Sequence, residues 1–242
     1  MDYGDSLVLA DSLPDSLGPL VADIDGTLTD DDRAIEPLVI PVLRAWPAPV
    51  IIATGKAMPY PVALCDFLGR EPLVVAENGG VALAGHSGKL KFTGDREAAA
   101  AVASEYREAG YSMGWGEADL VNRWRETEIA ISRDSPLEPL EVIAQRHGLV
   151  VVDTGYAYHV KSPEQSKGRA LPVVTDELGV ETEDCVAVGD SINDVSTFEA
   201  VGRSVAVGNA DEDARLAADH VTGADFGQGF LEAVTWFCEE LA

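Results

Sequence analysis

The stretch that decides the fold is Pro19-Leu20-Val21-Ala22-Asp23-Ile24-Asp25-Gly26-Thr27-Leu28-Thr29. Residues 19–24 read as a short strand, mostly apolar, of the kind a sheet buries on both faces. Two carboxylates at i and i+2 close it, and on an extended chain they face the same way. Gly26 permits the tight turn beyond. In open parallel sheets ligands bind at the carboxyl ends of the strands, so this strand end is where chemistry is expected. Carboxylates this close raise one another's pKa unless a cation neutralises them. One of the pair can attack while the other moves a proton.

Outward from this string the chain alternates short apolar runs with helical spacing. Residues 50–53 and 72–75 read as further strands, with helices at 36–44 and 58–68 between them and Gly69 as a stop. The rhythm returns late, with helix 166–178 stopped by Gly179, strand 185–188, helix 193–201, strand 204–207, and helices near 211–218 and 228–241. Pro172 falls inside the first of these and is expected to free the carbonyl of Gly168. Strand, helix, strand in succession means parallel pairing with crossovers. The middle differs: helix 95–109 behind an Asp N-cap, strands near 119–124 and 127–133, helix 137–147, then strands 149–152 and 157–160 around Thr154-Gly155. The expected fold is therefore α/β. A doubly wound, Rossmann-like parallel-sheet core spans 18–83 and 158–242, with an αββαββ cap inserted at 84–157. Residues 1–17 repeat Asp-Ser-Leu at 5, 11 and 15 and read as a flexible acidic extension.

Other strand and helix ends carry matching groups. Val188-Gly189-Asp190-Ser191-Ile192-Asn193-Asp194 again ends a strand in a glycine and two carboxylates four apart. Hard oxygen donors of this kind suit Mg²⁺, which favours carboxylates, waters and substrate phosphate. Thr54-Gly55 offers a hydroxyl and backbone amides to an anion, and Lys167, at a helix start, offers a point charge to phosphate. The four histidines (His86, His147, His159, His220) lack metal-ligand spacing. Trp115 and Trp124 read as cap core. Lys89, Lys91, Arg123 and Arg125 read as cross-strand ion-pair partners rather than substrate contacts.

DIDGTLT at 23–29, ATG at 53–55, Lys167-Gly168 and GDSIND at 189–194, in that order, resemble the motifs of the haloacid dehalogenase-like phosphatases, and the resemblance covers nearly everything after residue 18. It implies that Asp23 is the nucleophile and becomes an aspartyl phosphate, with Asp25 as general acid/base. It implies that Thr54, Gly55, Lys167 and Asn193 hold the phosphoryl group, and that Mg²⁺ is held by Asp23, Asp25 (through its carbonyl), Asp190 and Asp194. The cap's place between ATG and Lys167, and Glu77-Asn78-Gly79-Gly80 before it, resemble the type-two-cap branch. Within that branch the archaeal-type phosphoglycolate phosphatases fit best, which implies 2-phosphoglycolate as substrate. Relatives acting on sucrose phosphate or mannosyl phosphoglycerate, and phosphomannomutases, share the layout. A catalytically dead phosphate-binding protein would have lost a motif carboxylate, and none is missing. Lys56 and Pro172 depart from the family's usual pattern.

The charge narrows the partners and the setting. Against 42 Asp+Glu the 242 residues carry 17 Lys+Arg, a formal net charge of −25. Nucleic acid, which needs a basic face, is excluded as a partner, leaving a small phosphorylated metabolite. No apolar run approaches the ~18 residues of a membrane span. Three scattered cysteines (Cys65, Cys185, Cys238) suit a reducing cytoplasm. Only five of the basic residues are Lys, and 22 of the acids are Asp. Such a surface repels itself in dilute buffer, whereas in molar salt the Debye length falls to roughly 3 Å. The thermal midpoint is therefore expected to rise by at least ~10 °C between about 0.1 M and 3 M KCl. A midpoint that does not move with KCl in calorimetry would contradict the halophilic reading.

Overall fold

The computed structural model describes residues 1–241. Its strands are β1 (Leu20–Ala22), β2 (Val50–Ala53), β3 (Leu73–Ala76), β4 (Val81–Ala84), β5 (Lys91–Phe92), β6 (Ile129–Ser132), β7 (Val150–Asp153), β8 (Ala157–Lys161), β9 (Val186–Gly189), β10 (Arg203–Ala206) and β11 (His220–Val221). The main sheet runs β11-β10-β9-β1-β2-β3-β4-β5. It is parallel from β11 to β3, and β4 and β5 are added antiparallel. β1 lies at its centre, with Leu20, Val21 and Ala22 facing Val186, Ala187 and Val188 on one side and Val50, Ile51 and Ile52 on the other. β1, β2, β3 and β9 are buried throughout because apolar clusters cover both faces of the sheet. Ile52, Leu43, Phe230 and Phe237 fill one cluster and Ile51, Val75 and Leu171 the other.

A second sheet, β6-β8-β7, is wholly antiparallel. Helices Arg96–Glu108 and Leu137–Arg146 pack on it over a separate core that includes Val102, Tyr106, Ile131, Leu140 and Val160. The amphipathic spacing places both helices as the sequence implies. Asp95 caps the first through the amide of Ala98.

Several expectations change. No strand forms at 119–124, so the unit reads αβαββ rather than αββαββ. Asp119 accepts from the amide and side chain of Asn122, and Asn122 in turn bonds to Ala130, folding the segment into turns. Trp115 packs against the second core, but Trp124 is exposed and meets Tyr60 edge-on at 6.1 Å. β4 and β5 carry the main sheet on to Phe92, and β8 puts 158–161 in the second sheet, so the elements of the second unit run from Arg96 to Lys161. Tyr3–Asp11, within the supposed flexible extension, is a helix: Asp2 and Asp5 form a capping box, and Ser6 is buried with its hydroxyl on the carbonyl of Leu38. The expected helix 166–178 is split at Leu171: Lys167–Ala170 ends, Pro172–Leu178 begins with Pro172 in its first turn, and the Gly168 carbonyl, which has no amide from Pro172, accepts from Leu171 instead.

The two units are fastened at Glu77. Glu77, Asn78 and Gly79 are all left-handed, with φ of 52°, 51° and 91°. This sends the Glu77 carboxylate into the second unit, where it accepts from the amides of Glu126 (2.9 Å), Thr127 (2.8 Å) and Glu128 (3.3 Å) and from the Thr127 hydroxyl (2.8 Å). Burial raises the pKa of Glu77, and the bonds from Thr127 oppose that rise. Removing the carboxylate leaves buried amides without an acceptor. Glu77→Ala is expected to lower unfolding free energy by about 2–4 kcal/mol and to speed amide exchange at 126–128. Unchanged exchange there would show that the fastening lies elsewhere.

Candidate active site

Asp23 leaves β1 in line with the strand, its amide still donating to Val188. The chain then turns through Gly26, whose φ is +83°. A Cβ at Gly26 would lie 2.2 Å from an Asp190 oxygen, so the turn and the neighbouring carboxylate both require glycine. Asp190 and Asp194 follow β9, the strand beside β1. Oxygens of Asp23, Asp190 and Asp194 lie within 4.8 Å of one another. Thr27 donates to Asp190 at 3.1 Å, and the amides of Asp190 and Ser191 donate to Asp194, each at 3.1 Å.

Beneath them lies Lys167. Its side chain is fully buried and its ammonium is 2.7 Å from both Asp23 and Asp194. Burial alone would lower its pKa, but Asp194 and Asp23 outweigh burial and raise it. Asp23 shows the opposite balance: burial above all, with Asp194 and Asp25, raises it to about 7 against the downward pull of Lys167. Burial and then Asp23 and Asp194 also raise Asp190. Three carboxylates with Asp25 beside them thus face one buried ammonium, a donor set of hard oxygens that a divalent cation would satisfy.

The remaining candidates divide. Asp25, Gly55, Asp190 and Asn193 line a cavity of about 430 Å³ with Asp23, and Asp25 pairs with Lys56 at 2.9 Å. The other Asp25 oxygen is buried with no hydrogen-bond partner among the described residues. Thr54 is buried, its hydroxyl accepting from the amide of Lys56 at 3.1 Å.

Other side chains at the cavity escape a reading by motif. Asn78 accepts from Asn193 at 3.0 Å and donates to Glu128 at 3.0 Å, joining the last motif to the second unit. Glu128 is fully buried between Arg125 and His159, which line the cavity. Asn209 donates to the Gly26 carbonyl at 3.0 Å. Arg33 lies over the Tyr156 ring at 4.2 Å. No motif marks these residues, because each partner comes from a distant segment. Asn78 alone stood in a phrase already noticed. Arg125 and Lys91 do form ion pairs, but not across strands: Arg125 pairs with Glu128 three residues on and Lys91 with Glu177 of helix Pro172–Leu178, whereas Arg123 is exposed.

The profile of the family described as haloacid dehalogenase-like hydrolase matches residues 140–234. The chain belongs to that family and is an enzyme of the hydrolase class. It is 57% identical over 216 residues, 89% of this chain and 95% of the relative, to a Haloarcula marismortui protein named phosphoglycolate phosphatase. A Natronomonas pharaonis protein of the same name is 55% identical over 90% of this chain and 96% of the relative. A crystal structure of a Thermoplasma acidophilum protein superposes with a TM-score of 0.76 at 25% identity, covering 93% of this chain and 99% of that one. Among the described residues no helix is long and apolar enough to cross a membrane.

Burial opposes ionisation of Glu128, yet His159 and Arg125, with hydrogen bonds from His159 and Asn78, hold its pKa down to about 2 from an ordinary 4.5. A depressed carboxylate stabilises fully above its unfolded value and loses that contribution as pH falls through its folded one. Between about pH 4.5 and pH 2, the second unit is expected to lose up to about 3 kcal/mol, followed by tryptophan fluorescence. Glu128→Gln should flatten that acid limb; an identical limb in the variant would contradict it.

Proposed function

We propose that the chain is a Mg²⁺-dependent phosphomonoesterase that works through a phosphorylated Asp23 and hydrolyses 2-phosphoglycolate to glycolate and phosphate. The observation carrying the chemistry is the convergence of Asp23, Asp190 and Asp194 over Lys167 at the ends of two adjacent parallel strands. The substrate is supported by the name shared by the haloarchaeal relatives, which align over nearly their whole length.

Asp23, Asp190 and Asp194, with the carbonyl of Asp25, would hold Mg²⁺, which would supply charge neutralisation for the transferring phosphoryl group. An Asp23 carboxylate oxygen attacks phosphorus, and the ester P–O bond breaks. Asp25 gives its proton to the leaving glycolate oxygen. Asp25, now a carboxylate, takes a proton from water as that water attacks the phosphorus of the aspartyl phosphate. The bond to Asp23 breaks, phosphate leaves, and both carboxyl groups return to their starting forms. Lys167 keeps Asp23 aligned and offsets the charge gathered around it. Gly55 and Asn193, which line the cavity, would donate to the phosphoryl oxygens, with the buried Thr54 hydroxyl as a further donor. The unit from Arg96 to Lys161 serves as the cap and limits water at the reacting atoms.

Asp23→Asn keeps the shape and removes the nucleophile. Phosphate release from 2-phosphoglycolate is expected to fall by about 10³-fold or more with the circular dichroism unchanged. EDTA should abolish wild-type activity and Mg²⁺ restore it. A variant keeping a tenth of the activity, or an EDTA-resistant enzyme, would overturn this chemistry.

A further inference from the structure

The two ends of the cavity differ in charge. The core end is crowded with the carboxylates of Asp23, Asp25 and Asp190. Cations also face the cavity, and two of them are engaged in ways that tie them to that end or to solvent. Lys56 is held by Asp25, and Arg33 is exposed and stacked on Tyr156. The third, Arg125, is different. Its side chain is only 6% exposed, its Nε donates to the Val121 carbonyl at 3.0 Å, and its Nη1 pairs with Glu128, which is fully buried.

Burying an ion pair costs desolvation that its mutual attraction rarely exceeds, so packing alone does not call for one here. Glu128 is moreover braced from two other sides, by His159 Nδ1 at 3.0 Å and by Asn78 at 3.0 Å. With Nε given to Val121 and Nη1 to Glu128, the guanidinium is held in one orientation, largely out of water, and its Nη2 is the nitrogen left to donate to a carboxylate in the cavity. The same hydrogen-bond line, Glu128 to Asn78 to Asn193, fixes it relative to the strand end that carries Asp190 and Asp194.

We infer that Arg125 is the specificity-determining residue, that its guanidinium takes the carboxylate of the substrate, and that Glu128, braced by His159 and Asn78, is the positioning residue. The inference rests on the 2-phosphoglycolate reading and names the group that selects that substrate. Asp23, Asp190 and Arg125 line the same cavity, and in this inference the phosphate ester lies at the Asp23 end and the carboxylate at Arg125. An ester with a neutral tail offers Nη2 no charged acceptor beyond the contacts that Val121 and Glu128 already make with the other nitrogens, and a lost polar contact of this kind is rejected more strongly than a change of size.

The test compares kcat/KM for 2-phosphoglycolate and for 2-hydroxyethyl phosphate, which has a hydroxymethyl group in place of the carboxylate. Wild type is expected to favour 2-phosphoglycolate by at least about 100-fold. Arg125→Leu should lower that ratio about 100-fold and Arg125→Lys about 10-fold, mostly through KM for 2-phosphoglycolate. A wild-type ratio near one overturns the 2-phosphoglycolate reading and this inference with it. A high wild-type ratio that both variants retain overturns the subsite alone. Parallel loss of both activities in both variants marks Arg125 as a structural pair and overturns it equally. If only Arg125→Leu fails to fold, the Arg125→Lys ratio decides.

Discussion

The active site is organised around the buried ammonium of Lys167, 2.7 Å from Asp23 and 2.7 Å from Asp194. Carboxylates brought to adjacent strand ends repel one another, and burial makes each anion harder to sustain. Lys167 is the one contact that offsets both penalties at once. It comes from neither β1 nor the β9 turn but from the first turn of helix Lys167–Ala170, which Ser166 caps. That turn packs closely: a Cβ at Gly168 would meet the Ser196 carbonyl at 1.8 Å. Placement of the ammonium and packing of the helix against the β9 side are therefore one requirement.

Much of this was legible in the chain. The apolar runs that became β1, β2, β3, β9 and β10 are short and bounded by glycine or acidic residues, and a sheet covered on both faces leaves such runs little alternative. The residues at their ends were legible because motif and strand end coincide in sequence. Elements that depend on partners elsewhere were not. β5 and β11 are two-residue strands that exist only through pairing with a neighbour. The segment 119–124 has apolar residues enough for a strand, but Asp119 and Asn122 supply local side-chain acceptors and donors that turn it. The N-terminal helix had its signal in Asp2 and Asp5, obscured by the more conspicuous Asp-Ser-Leu repeats. Glu128 and His159 carried no signal at all, since a buried carboxylate acquires meaning only from the side chains around it.

The net charge of −25 and the binding of an anion are compatible because they act at different ranges. Surface acids are set against solvent and are screened by salt within a few ångströms. The cations of the site are within hydrogen-bond distance of their partners, with Lys167 and Arg125 largely enclosed by protein. A haloarchaeal setting, which the relatives share, reduces the first effect and leaves the second in place.

The grip of Glu77 on the second unit has an evolutionary side. Three of its four contacts are to main-chain amides, at Glu126, Thr127 and Glu128. A socket that reads backbone tolerates any side chain whose residue keeps the same path. The side chain at position 126 is thus free of the socket, whereas that of Glu128 is also held by Asn78. Thr127 is constrained by its hydroxyl and by the approach of Gly80, where a Cβ would lie 1.9 Å from that oxygen. At Glu128 the amide serves attachment while the carboxylate braces Arg125, so what the pocket accepts can be retuned at Arg125 without rebuilding the joint that holds it.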